Sequence, residues 1–282
     1  MNVSAELTQE LEQKKDRLIQ IIQDYRTVLV AFSGGVDSTF LLAAARKALP
    51  RENVLAVTSV SDSLAKGEKE RCQSLVSLLD TEWRVIETEE FKNPQYLSNP
   101  ANRCYFCKSA LYSKMIPLAK EGGYRVIVNG LNWDDLSDIR PGRQAAVESG
   151  IQSPLRDVEF KKSEIRQISR LWALPTWDCP EMPCLSSRVS FGTPVRPELL
   201  SKIDYAERSI RGLGFTVVRV RTNGQDARIE IGKDELSRAI EEPMKSAIDN
   251  AVKDAGFVQV AIDPNGYQRG SLHRSLVSER SL

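Results

Sequence analysis

Apolar side chains along the chain recur at two spacings, and their alternation sets the expected architecture. In residues 6–25, Leu7, Leu11, Leu18, Ile21, Ile22 and Tyr25 fall at helical intervals, which predicts an amphipathic helix. The run Val28-Leu29-Val30-Ala31-Phe32 follows, and a short unbroken apolar stretch predicts a parallel strand covered on both faces. A helix is expected from about Asp37 to Leu49. Further strands are predicted at 54–60, 83–88 and 125–129, separated by helical patterns at 66–79 and 104–121. Strands alternating with helices imply an α/β fold with a parallel sheet and right-handed crossovers.

After a helix near Lys162 to Trp172, some twenty residues rich in Pro, Cys, Ser and Gly read as a linker or active-site loop. The pattern then changes to a helix at 197–212, strands at 215–221 and 226–231, helices within 234–254 and a strand at 257–262. Two domains are expected, a nucleotide-type α/β domain over 1–192 and a small α+β domain over 193–282. The tail after Gly270 is expected to be mobile.

Composition narrows the chemistry. Lys and Arg total 39 against 38 Asp and Glu, so no global field draws the protein to nucleic acid or an anionic membrane, and an anionic ligand must be held locally. No apolar run approaches the roughly 20 residues that span a bilayer, and residues 1–25 carry charge throughout, so a cytoplasmic protein is expected. The single histidine, His273, nearly excludes histidine triads and histidine metal sites. Five cysteines make a poor disulfide framework and hint at metal or redox chemistry. Cys72, inside a helical pattern, reads as a small buried thiol.

Directly after the first strand stands Ser33-Gly34-Gly35-Val36-Asp37-Ser38. A phosphate at a strand-to-helix turn needs glycines for close backbone approach, exposed amides at the helix start, and hydroxyls to complete the cradle; this hexapeptide supplies all three. The bland alternative is a tight turn with Ser38 or Thr39 capping the helix. No Gly-Lys-Ser/Thr ends the turn, so it is not a Walker loop. It resembles the pyrophosphate-binding loop of N-type ATP pyrophosphatases. That resemblance implies splitting of ATP into AMP and pyrophosphate while a substrate oxygen is adenylated, with Ser33, Gly34, Gly35, Asp37 and Ser38 at the phosphates and Asp37 helping to hold Mg2+.

Later segments resemble the LarE family: Asn102-Arg103-Cys104-Tyr105-Phe106-Cys107-Lys108, Gly130 with Asp134-Asp135, Asp138-Ile139-Arg140-Pro141-Gly142, Pro183-Cys184-Leu185-Ser186-Ser187-Arg188 and Val218-Arg219-Val220-Arg221. The likeness spans about residues 25–265. It implies a sulfur transferase that adenylates the carboxylates of pyridinium-3,5-biscarboxylic acid mononucleotide and converts them to thiocarboxylates for the nickel-pincer nucleotide cofactor. It further implies a homo-oligomer, a hexamer, and matches Cys184 to a cysteine that surrenders its sulfur and is left as dehydroalanine. Gly130, Ser187 and Arg188 are carried over as nucleotide-binding positions.

Cys104 and Cys107 exceed the needs of a single-cysteine donor. Two thiolates three residues apart at a helix start, plus a third from a distant loop, suit three corners of a [4Fe–4S] cluster on Cys104, Cys107 and Cys184. A closed zinc site that adds Cys179, and free thiols working sacrificially, are the other readings.

On the predicted strand 215–221, Arg219 and Arg221 share one face. Their guanidinium forks match the phosphate and carboxylate oxygens of the substrate, with Arg188 joining them; pairing with Glu230 or Glu207 is the structural alternative. Glu207 and Glu230 themselves look like family positions where a carboxylate places a cation or moves a proton. Trp133, Trp172 and Trp177 are read as packing residues. Rival functions are a tRNA thiolase, against which the near-neutral charge argues, and a subunit that binds nucleotide or iron without catalysis.

Overall fold

A computed structural model describes residues 8–137 and 141–268. The expectations for Leu7, for Asp138-Ile139-Arg140, for His273 and for the tail after Gly270 lie outside them. The helices are α1 Gln9–Tyr25, α2 Val36–Ala48, α3 Glu68–Leu78, α4 Pro94–Leu97, α5 Arg103–Glu121, α6 Gly142–Glu148, α7 Pro154–Asp157, α8 Lys162–Leu171, α9 Pro197–Gly212, α10 Leu236–Ile240 and α11 Met244–Asp254. The strands are β1 Val28–Ala31, β2 Val54–Val60, β3 Glu82–Glu87, β4 Val126–Val128, β5 Val218–Thr222, β6 Ala227–Ile231 and β7 Val260–Ile262.

The chain divides into two compact units, each assembled from separate stretches. The first takes in Met1–Ser61, Gly67–Glu89 and Cys104–Met182; the second takes in Asp62–Lys66, Glu90–Arg103 and Pro183–Leu282. The two short stretches of the second unit sit inside the α/β pattern of the sequence, which shows no composition change there.

The first unit holds a parallel sheet in the order β3-β2-β1-β4, the α/β sheet of a pyrophosphatase-loop fold. Period-2 alternation divides its strands between two cores. Val28, Val30, Val54, Ala56 and Val128 face Leu18 and Ile22 of α1, Phe40 and Leu41 of α2, and Ile165 and Ile168 of α8. Leu29, Leu55, Val57 and Ile127 face Leu111, Tyr112 and Met115 of α5 and Ala145 and Ala146 of α6. Both faces are thus covered, which explains the unbroken apolar run at 28–32. Full burial of a side chain such as Phe40 or Leu18 contributes roughly 1.5–3 kcal/mol. Trp172 belongs to this packing and stacks on Phe40 at 5.1 Å, whereas Trp133 and Trp177 are 38% and 36% exposed.

The second unit is a small α+β body in which β6 pairs antiparallel with β5 and parallel with β7. Ile203, Ala206 and Ile210 of α9 are buried, as are Ile248 and Val252 of α11. The helices expected within 234–254 are α10 and α11, separated at Pro243, whose peptide bond with Glu242 is cis; proline lacks the amide hydrogen that an unbroken helix would use there. Residues 90–103 join this unit through Asn99. Its backbone is left-handed at φ 54°, and its side-chain amide donates to the carbonyls of Ser190 at 2.8 Å and Thr193 at 2.9 Å.

Candidate functional site

In the first unit, β2 and β3 lie to one side of β1 and β4 lies to the other. The strand order therefore reverses between β1 and β4, and ligands of open α/β sheets bind outside the carboxyl ends of the strands at such a point. Both relevant loops leave from there. Ser33 to Gly35 follows β1, with Gly34 at φ 70°, a conformation that glycine adopts without strain. Gly35 is the N-cap of α2 and makes no side-chain cap bond, which leaves first-turn amides of α2 facing outward for an anion. The two serines brace the turn. Ser38 Oγ lies 3.1 Å from Ser33 Oγ, accepts the Ser33 N–H at 3.3 Å and donates to the Gly35 carbonyl at 3.2 Å.

Gly130, in the loop after β4, packs against this helix start. A Cβ there would stand 3.0 Å from Ser38 N and 3.1 Å from the Asp37 carbonyl carbon. Gly130→Ala is therefore expected to displace the first turn of α2. The cost is about 1–3 kcal/mol of stability, read as a lower Tm.

Asp37 sits in the first turn of α2 and bonds a residue that the sequence reading passed over. Lys162 Nζ donates to Asp37 Oδ2 at 2.6 Å, while the Lys162 backbone N–H donates to Asp134 Oδ2 at 2.8 Å. Asp134 thus anchors the start of α8 so that Lys162 reaches the loop. The other carboxylate oxygen, Asp37 Oδ1, is buried with no hydrogen-bond partner. A buried orphaned carboxylate oxygen beside a phosphate cradle fits a divalent cation. Lys162 places positive charge beside Asp37 at the loop. The one sequence signal for Lys162 is its place at the start of the helix at 162–172, close in the fold but 125 residues from Asp37.

The second unit gathers the predicted arginines around two buried glutamates. Arg188 Nε donates to Glu207 Oε1 at 2.8 Å and its Nη2 to Glu207 Oε2 at 3.1 Å. Its Nη1 donates to the carbonyls of Pro183 and Cys184 and to Ser187 Oγ. Each nitrogen of Arg188 thus has a partner within the second unit, and the bonds from Nη1 hold the cysteine loop. Glu207 also accepts from Arg211 at 2.7 Å and from the Val220 N–H at 3.1 Å. Burial by itself would raise the Glu207 pKa, but the neighbouring Arg188, with Arg219 and Arg211, leaves it below the usual carboxylate value.

Arg219 and Arg221 do share a face, opposite Glu230 and Arg228. Arg221 bonds Glu230 Oε2 at 2.9 Å and the Ser187 carbonyl at 2.8 Å, which is the ion pair that the sequence left as the alternative. Arg219 is 4% exposed and lies over the Tyr267 ring at 5.3 Å. Burial and the like charge of Arg188 push its pKa down to about 10. A buried guanidinium under that pressure gains from an anion placed beside it.

Of the cysteines, Cys104 and Cys107 lie near the start of α5 in the first unit, three residues apart and so on one helix face. Cys104 is exposed. Gly142, at the start of α6, lets that helix approach the turn, since a Cβ there would lie 3.4 Å from the Cys104 carbonyl. Cys184 is exposed in the second unit, and Cys179 is half-buried against the first core. Cys72 is fully buried, as read from the sequence. The pair Cys104 and Cys107 fits two corners of a cluster. Among the described residues no group of three or more His, Cys, Asp or Glu is gathered to hold a metal ion, and no helix is long and apolar enough to cross a membrane.

No protein-family model matches the chain. Uncharacterized protein slr1717 of Synechocystis is 41% identical over 266 residues, covering 94% of this chain and 99% of that protein. The pyridinium-3,5-bisthiocarboxylic acid mononucleotide synthase of Lactiplantibacillus plantarum is 29% identical over 94% of this chain and 96% of its own length. Uncharacterized protein MJ0830 of Methanocaldococcus jannaschii is 29% identical over 86% of this chain and 91% of its own length. Near-full-length likeness at these levels, together with the loop at the switch point of a parallel sheet, makes the chain a member of the LarE-like family that includes the Synechocystis protein.

Proposed function

We propose that the chain is an ATP-dependent sulfur transferase acting on pyridinium-3,5-biscarboxylic acid mononucleotide, with the bisthiocarboxylic acid nucleotide as product. The observation that carries the activation half is the cradle after β1: braced serines, a helix start without a side-chain cap, and the orphaned oxygen of Asp37. The substrate class is supported by the name of the Lactiplantibacillus relative.

A carboxylate oxygen leaves poorly, so it must first enter a mixed anhydride with phosphate. In the proposed first step a substrate carboxylate attacks the α-phosphorus of ATP, and pyrophosphate departs. The outward amides of α2, Lys162 and Mg2+ held through Asp37 would neutralise the charge that builds on pyrophosphate. In the second step sulfur attacks the acyl carbon and AMP leaves with the original carboxylate oxygen. Arg219 and Arg221 would hold the anionic groups of the substrate, and Arg188 would keep the Cys184 loop in place.

Cys104, Cys107 and Cys184 are the proposed ligands of a [4Fe–4S] cluster, which when bound supplies an iron open to exogenous sulfide. A second reading makes Cys184 itself the donor, and the exposure of its side chain favours it.

One anaerobic reaction separates these. Reconstituted protein with ATP, Mg2+, substrate and sulfide is expected to release pyrophosphate only when the pyridinium nucleotide is present. More than two sulfurs transferred per chain supports the cluster. A stoichiometric product with Cys184 converted to dehydroalanine, seen as a mass loss, supports sacrifice. Tight zinc and no iron would remove the cluster, and pyrophosphate release stimulated by tRNA would redirect the substrate assignment.

A further inference from the structure

Beneath the glycine loop of the first unit lies a buried polar assembly that neither half-reaction uses. Thr58, on β2 and 2% exposed, donates its hydroxyl proton to the Phe32 carbonyl at 2.9 Å. The same oxygen accepts the indole N–H of Trp83 on β3 at 3.0 Å. Cys72 of α3 is in hydrogen-bond contact with Thr58 as well, and burial pushes its thiol pKa up, so the thiol stays protonated. Its sulfur forms the floor under Gly34, where a Cβ would come within 2.9 Å of it.

The geometry of a peptide plane turns this assembly into a device for aiming the loop. The carbonyl of Phe32 and the N–H of Ser33 belong to one rigid planar unit and point in opposite directions. Holding the carbonyl therefore fixes where the Ser33 N–H points, and that N–H donates to Ser38 Oγ at 3.3 Å. The Phe32 N–H is already pinned to the Val57 carbonyl at 2.8 Å. Thr58 and Trp83 hold the other side of the residue, and Cys72 limits how deep Gly34 can settle.

We infer that Thr58, held by the Trp83 indole and backed by Cys72, is a positioning residue that pre-organises the Ser33–Ser38 loop for pyrophosphate. The inference rests on reading that loop as a pyrophosphate cradle. An isosteric loss of the hydroxyl leaves the buried Phe32 carbonyl and the half-buried Trp83 N–H without their bonds to it and lets the Phe32–Ser33 peptide rotate.

The test is calorimetric binding of inorganic pyrophosphate with Mg2+ to the full chain, which needs no substrate, sulfide or cluster. Thr58→Val is expected to weaken binding about tenfold or more, and Thr58→Ser, which keeps the hydroxyl, to stay within about threefold of the parent. Thr58→Val that melts at a lower temperature yet binds pyrophosphate like the parent would make Thr58 merely structural and overturn the inference. If Thr58→Val does not fold, Trp83→Phe, which removes the indole N–H, carries the test. A loss of about threefold supports the inference and parent-like binding overturns it. A parent protein that binds no pyrophosphate sinks the cradle reading itself, a result distinguishable from parent binding that the variants leave unchanged.

Discussion

Asp37→Asn is expected to lower pyrophosphate release by at least about a hundredfold, with the fold intact. The substitution keeps the size of the side chain and its place in the first turn of α2. It removes the charge that meets Lys162 at 2.6 Å and replaces one carboxylate oxygen with a donor. An amide that donates toward Mg2+ or toward Lys162 repels both. Lys162→Met tests the complementary half. Its backbone N–H still bonds Asp134, so α8 keeps its start, while Asp37 loses its cation. A smaller loss, about tenfold, partly recovered at high Mg2+, is expected, because the metal can carry charge that the lysine no longer supplies. Pyrophosphate release followed against Mg2+ concentration reads both. Parent-like turnover in Asp37→Asn would remove Asp37 from the chemistry.

The second large effect falls on stability. Arg188 and Glu207 are 3% and 1% exposed, and each is the other's principal counterion. Removing one leaves a buried charge without its partner, which costs about 3–5 kcal/mol. Glu207→Leu strands Arg188 and the Val220 N–H together; Arg188→Met takes from Glu207 its buried counterion, leaving it Arg211 and the Val220 N–H, and releases the carbonyls of Pro183 and Cys184. Each single variant is expected to melt about 6–20 °C lower. The double variant is expected to lose less than the sum, because neither Arg188 nor Glu207 is then left buried without the other. Additive losses would show that the pair does not act as a unit.

The pair also sets a pH dependence. The Glu207 carboxylate has a folded pKa below its unfolded one, so the unfolded chain takes up the proton first on acidification. The stabilisation is present above the unfolded value, about 4.3, and is lost as pH falls through the folded value. Melting curves from pH 7 downward should therefore converge for the parent and Glu207→Gln in acid. Divergence in acid would contradict the assignment.

Much of the fold was legible because its signals are local. The strand at 54–60 and the helix at 197–212 stand where periodicity placed them, since apolar spacing records which face of an element is covered. The Ser33–Ser38 loop was legible for the same reason: its glycines, serines and helix start are contiguous. The burial of Cys72 followed from its place in a helical pattern. The helices expected within 234–254 stand there as α10 and α11, on either side of Pro243.

What the chain order could not reveal are partners brought together by the sheet. Lys162 meets Asp37 across 125 residues, and Asn99 ties residues 90–103 to carbonyls more than 90 positions onward. On β5, alternation correctly placed Arg219 and Arg221 on one face, but it could not say that Arg221 would meet Glu230 or that Arg188 would be consumed by Glu207 and its own loop. Those outcomes depend on desolvation: once buried, a guanidinium must find acceptors, and only the packed structure decides which ones are in reach. Local spacing, then, determined the elements and the glycine–serine loop between β1 and α2, because both are written within a few residues. Tertiary structure decided the ion pairs, the lysine at the loop and the buried floor under Gly34, because each depends on atoms that only folding brings within hydrogen-bond distance.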